Sequence, residues 1–203
     1  MGFASRSVSI MRYRVKGDVE GSFWDVVDEG VKKYAFREIV GPGEEVGMGW
    51  VSVEDFTDTE FRSASYVIGN YVALSLRLDS VRVPTKILEM RLKQESKKLL
   101  DESGRQRLSS AQRRELKDNL RETLKKQVFP SIQVFELIWD TARSVVYFGS
   151  LSIKARERVE DQFKKSFGLT LVPLIPYLRA EEILSSEQAK DALGKLKPSL
   201  MAP

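Results

Sequence analysis

Between Pro84 and Pro130 the chain stops looking like the sequence on either side of it. The flanking stretches are built of short alternating or β-branched runs. This block is dense with Lys, Arg, Glu and Asp and carries apolar residues at helical spacing. Ile87, Leu88, Leu92, Leu99 and Leu100 form one stripe over residues 85–100. Gly104 in DESGR is suited to the left-handed conformation that ends a helix. Ser109 and Gln112 stand at capping-box spacing, so a second helix is expected to start there. Its buried side is expected to carry Leu116, Leu120, Leu124 and Val128, and Pro130 stops it. Two such helices with a short connection predict an antiparallel hairpin, each arm of 16–20 residues reaching roughly 25–30 Å at about 1.5 Å per residue.

The body around this insert reads as α+β. Val8–Val15 alternates like a strand with one buried face, and Ser22 can cap a helix running to about Tyr34 through Phe23, Val26, Val27 and Val31. GPGEEVGMG (41–49) reads as a turn region and Trp50–Val53 as a short strand. Tyr66–Val83 reads as two strands turning at Asn70. Past Pro130, Val134–Trp139 and Ser144–Phe148 predict a β-hairpin with Asp140, Thr141 and Arg143 in its turn. Ile153–Phe167 predicts an amphipathic helix ended by Gly168, Leu169–Leu174 a strand, and Glu182–Leu196 a weak helix before a disordered KPSLMAP tail. The expected fold is an α+β chain: a mixed or antiparallel sheet body with packed helices, interrupted by a projecting basic helical hairpin. The expected division is a discontinuous body (1–83 and 130–180), the hairpin (84–129) and a C-terminal helix and tail (181–203).

Composition narrows the chemistry. The 203 residues contain no cysteine and no histidine. Disulfides, thiolate or imidazole metal sites and Ser-His or Cys-His catalysis are thereby excluded. No run of about 18 apolar residues occurs, and the N-terminus lacks a signal-peptide core, so a soluble cytoplasmic protein without a membrane partner is expected. The formal charge of +4 is unevenly spread. Residues 86–126 hold thirteen Lys/Arg against seven Asp/Glu, a local +6, which leaves −2 for the rest.

Three features invite a chemical reading. The glycines of 41–49 are followed by a strand-like WVSV and contain no GK[ST], which argues for a plain loop over a phosphate loop. Glu54, Asp55, Asp58 and Glu60 could hold magnesium, yet acids within seven residues of loop more often solvate a face. Trp50, Trp139, Tyr147 and Phe148 sit in predicted strands and read as core before base-stacking platforms. The basic helices carry the best signal. Lys86, Lys93, Lys97, Lys98, Arg105, Arg107, Arg113, Arg114, Lys117, Arg121, Lys125 and Lys126 suit neutralisation of DNA phosphates without regard to base sequence. The plain alternative is a solvated helix face, since Glu115, Asp118 and Glu122 are interspersed.

An ordered set of short stretches resembles one family, the bacterial recombination-associated protein RdgC. MRYRV resembles its first strand and Gly49-Trp50-Val51 its GWV. The VPTKIL following Arg82 resembles its KILPxxV segment in altered order, and Leu116-Lys117-Asp118 its LKDEVL. Val128-Phe129 falls where LLPRAF ends, with Lys126 and Gln127 in place of the proline and arginine. Trp139-Asp140-Thr141, the helix ending at Gly168 and Val172-Pro173-Leu174 follow in family order. The resemblance identifies the chain as a shortened or divergent member, because the family's C-terminal region has no counterpart here. It implies a nucleoid-associated protein that binds duplex DNA with little sequence preference; some members are labelled exonucleases, but the residues offer no catalytic arrangement, so a non-enzymatic protein without cofactor or metal is expected. It also implies a homodimer that modulates RecA-dependent recombination, with Phe129 and Val128 where two subunits meet. The competing readings are a protein–protein adaptor using the leucine-striped hairpin and, behind it, a metal-dependent nuclease.

Overall fold

The computed structural model describes residue 3 and residues 5–39, 44–104 and 106–196. Arg105, residues 40–43 of the glycine-rich loop and the 197–203 tail lie outside the described residues. Helices and strands mix as expected for an α+β chain. In order they are β1 (Met11–Lys16), α1 (Phe23–Lys33), β2 (Val46–Val51), β3 (Val67–Ile68), β4 (Tyr71–Ser80), α2 (Thr85–Ser103), α3 (Ser110–Lys125), β5 (Ser131–Asp140), β6 (Val145–Phe148), α4 (Ile153–Phe167), β7 (Thr170–Pro173), α5 (Pro176–Ile183) and α6 (Glu187–Gly194). The strands form one sheet in the order β2-β4-β5-β6-β1-β7, with β3 alongside β4. The pairs β1–β6, β1–β7, β3–β4 and β5–β6 are antiparallel.

The chain divides into two compact units. One comprises residues 1–35, 50–76 and 135–203, the other 36–49 and 77–134. In the first, Met11 and Tyr13 of β1, Val146 and Phe148 of β6 and Leu137 and Trp139 of β5 turn to the same buried side, as the two-residue strand period requires. Helices α1 and α4 pack together. Trp139 contacts Phe163 edge-on at 5.0 Å and Phe167 at 5.5 Å, and Trp50 stacks on Phe167 at 6.1 Å. The Trp50 indole N–H donates to Ser166 Oγ at 2.8 Å, which satisfies a donor that is otherwise fully buried. Of the four strand aromatics, Trp50, Trp139 and Phe148 are core, whereas Tyr147 is only half-buried.

The second unit centres on a charge pair. Arg77 Nε and Nη2 donate to Asp79 Oδ1 and Oδ2 at 2.9 and 2.7 Å, and the guanidinium lies 4.1 Å from the centre of the Phe36 ring. The side chains keep only 11% and 6% of their surface exposed. Breaking such a pair from one side costs about 3–5 kcal/mol, because a charge is left in a poorly solvating site. Asp79→Ala is therefore expected to lower the urea midpoint sharply. Arg77→Met with Asp79→Leu, which removes both charges, should stay near the parent. Equal midpoints for the single variant and the parent would contradict this account.

Several element ends shift from the sequence expectation, and two of the differences change an assignment. Strand β2 starts at Val46, so the VGMG assigned to a turn is strand. A Cβ at Gly47 would come 3.1 Å from Ile39 and 3.3 Å from the Arg37 carbonyl, so this glycine serves close backbone approach, which sequence does not distinguish from a turn. The single C-terminal helix is in fact two. Pro176 opens α5 at its first position, and Ser186 caps α6 by accepting from Ala189 N at 3.2 Å.

Candidate nucleic-acid interface

Helix α2 leaves the strand β4 through Pro84, which has no N–H to waste at a helix start, and ends at Gly104 with φ +64°. Helix α3 begins with a reciprocal capping box. Gln112 N donates to Ser109 Oγ at 3.2 Å, and Ser109 N donates to Gln112 Oε1 at 3.1 Å. The two helices pack on each other. Leu88, Leu92 and Leu124 are buried, and Leu116, Leu120 and Val128 are half-buried. Ile87 and Leu99, expected in the buried stripe, are exposed instead, as is Met90. The apolar residues of α2 cover too wide an arc for one packing partner to bury.

At about 100° per residue, α3 presents three successive sectors. Leu116, Leu120 and Leu124 occupy the first. Lys117, Arg121 and Arg114 occupy the next, Arg113 falls among the leucines at the first turn, and Glu115, Asp118 and Glu122 occupy the third. The four cations are all exposed. Lys86, Lys93, Lys97 and Lys98 on α2 are exposed, as are Arg107 between the helices and Lys126 after them. Among the described residues, the only ion pairs these cations make, Lys125 aside, is Lys98 with Glu95 at 2.8 Å. Arg82 and Arg91, not singled out from sequence, are exposed cations of the same unit.

Lys125 differs from the rest. Its ammonium donates to Glu122 and to Glu45, each at 2.8 Å, and these bonds raise its pKa above the usual lysine range. The same interaction holds Glu45 below the ordinary carboxylate range, with Arg121 and Arg82 adding weaker attraction. The charge of Lys125 is thus already compensated by two carboxylates, one of them eighty positions away. Phe129 lies beyond the end of α3 with 92% of its surface exposed, and Val128 is half-buried.

The acidic loop behaves as a self-capped turn. Asp55 Oδ1 accepts from the Thr57 backbone N–H and hydroxyl at 2.8 and 2.6 Å, which holds its pKa below the ordinary range, and Asp58 Oδ1 accepts from Glu60 N at 2.9 Å. These carboxylates serve local backbone donors. No group of three acidic side chains placed to hold a metal occurs among the described residues. No helix among them is long and apolar enough to cross a membrane.

No curated protein matches the chain. A family model described as "Putative exonuclease, RdgC" matches residues 8–190, which takes in the strands of the sheet and both basic helices. That family is linked to recombination and DNA binding. Covering nine-tenths of the sequence, the match places this chain in the RdgC family.

Proposed function

We propose that the protein binds duplex DNA without strong sequence preference, as a homodimer and without catalysing a reaction, and that it acts on RecA-dependent recombination. The observation that carries this reading is on α3, where Arg113, Arg114, Lys117 and Arg121 are exposed and none has a carboxylate in ion-pair range among the described residues. Such side chains replace condensed counterions on the phosphate backbone, and their contribution is indifferent to base order. Phe129, almost wholly exposed beside a charged helix, suits burial against a second copy.

Fluorescence anisotropy on a random-sequence duplex tests the reading. Affinity is expected to fall steeply between about 50 and 200 mM salt, with a log–log slope near −0.9 for each phosphate neutralised. Mass measurement of the free protein should give a dimer that Phe129→Ala weakens without loss of fold. Absence of binding at low salt would refute the DNA reading, and a monomeric wild type would refute the dimer. Magnesium-dependent degradation of the duplex, abolished by replacing Glu54 and Asp55 together, would restore the nuclease reading.

A second reading has one observation behind it. Leu99, Leu108 and Leu116 line an open groove of about 270 Å³ between the end of α2 and the first half of α3, bordered by Ser103, Gln112, Glu115 and Asn119. A partner helix could set an apolar side chain there. Association through such a groove is weakly salt-dependent, so the same titration separates the two readings.

A further inference from the structure

A second cationic surface lies in the other unit, on strand β1. MRYRVK alternates strictly: Met11 and Tyr13 are buried, and Arg12, Arg14 and Lys16 fall on the opposite face of the sheet. β1 sits between β6 and β7, with Arg12 opposite Tyr147, and Arg14 opposite Val145 on one side and Val172 on the other. Because Val146 and Phe148 turn into the core, the half-buried Tyr147 shares the face of Arg12. The β5–β6 turn adds the exposed Arg143, whose carbonyl accepts from Arg14 Nη1 at 2.9 Å. That bond orients the Arg14 guanidinium and leaves its remaining N–H groups for a ligand. Two carboxylates share this face. Asp140 is buried and already accepts from Arg143 N at 3.0 Å, and Glu136 is half-buried on β5.

We propose that this face of β1 and β6 is a DNA contact in its own right, with Arg12 and Arg14 taking backbone phosphates and the Tyr147 ring lying against the sugar–phosphate backbone. The proposal rests on the DNA-binding reading above and adds to it a surface independent of α2 and α3. Two residues apart on a strand, the two arginines stand roughly 7 Å from one another. That separation suits neighbouring phosphates on one DNA strand, and arginine forks bind phosphate oxygens in pairs. Both cations project from a paired strand, so little backbone freedom remains to be lost on binding, and the bond to the Arg143 carbonyl already orients Arg14.

The test is the salt titration repeated on the full chain carrying Arg12→Gln and Arg14→Gln. The expected slope is shallower than wild type by about 1.8, with affinity at about 0.1 M salt lower by roughly sixtyfold. Arg12→Lys with Arg14→Lys should keep the wild-type slope, because a phosphate contact needs the charge. Wild-type slope and affinity in the glutamine variant would overturn this proposal and leave the α2–α3 reading standing. No DNA binding by the wild type would overturn both. Loss of binding to polyglutamate with DNA binding intact would overturn it in favour of an acidic protein partner. Should the double variant lose its melting transition, Arg12→Gln alone decides. Arg12 is exposed and its side chain has no hydrogen-bond partner among the described residues, so a slope change of about 0.9 supports the proposal and none overturns it.

Discussion

Reversing Arg113, Arg114 and Lys117 to glutamate together is expected to weaken duplex binding by two to three orders of magnitude at about 0.1 M salt. Removing three phosphate contacts takes about 2.7 from the log–log slope, and at a tenth molar that corresponds to roughly 500-fold in affinity. The reversal adds repulsion, so the estimate is a lower bound. The fold should tolerate the change, because all three side chains are exposed. Reversal of Lys32 and Lys33 is the matched control. They are exposed on α1, and Lys32 is already paired with Asp28 at 2.7 Å. Equal losses from the two sets would mean that attraction is spread over the whole surface and that α3 has no special part in it.

The second large effect is on stability. Gly30 lies in the middle of α1, where glycine is normally unfavourable by about 0.5–1 kcal/mol relative to alanine. Gly30→Ala would ordinarily stabilise. Here a Cβ would sit 2.3 Å from the Ser166 carbonyl oxygen and 2.9 and 3.0 Å from the Phe167 ring. The obstacle is helix backbone, so α4 must move as a body. Such overpacking costs about 1–3 kcal/mol or more. Moving Ser166 also strains the bond to the buried Trp50 indole, whose loss costs a further 1–3 kcal/mol or so. The clash outweighs the propensity gain, and a net loss of about 2–4 kcal/mol is expected. For a chain of this length that corresponds to a fall in Tm of about 4–16 °C. A Tm at or above the parent's in a thermal melt would show that α1 and α4 can separate without cost.

What sequence predicts well here is local. The capping box of Ser109 and Gln112, the left-handed Gly104 and Gly168 and the bounds of α4 are set by residues a few positions apart. The alternation of β1 is equally legible, but the face its cations share is not. Arg12 and Arg14 look unremarkable beside a segment of thirteen cations, until strand pairing shows which face they occupy. The remaining misses come from long-range packing. A glycine that admits a neighbouring backbone and one that makes a turn are written with the same letter, so sequence places the start of β2 late. Sequence puts Lys125 with the cations expected to meet phosphate, because nothing near it in the chain announces Glu45. The exposure of Ile87 and Leu99 follows from which arc of α2 meets α3, a choice made by both helices together.

The double carboxylate partnership of Lys125 has a consequence in reactivity. Acylation, whether by a reagent or by an acetyl-transferring enzyme, requires an amine that has given up its proton and freed its lone pair. Glu45 and Glu122 hold the proton on Lys125, while Lys126, the next residue, is exposed. Lys125 is therefore a poorer nucleophile than a lysine without carboxylate partners. A modification that spreads along the basic surface would pass over Lys125.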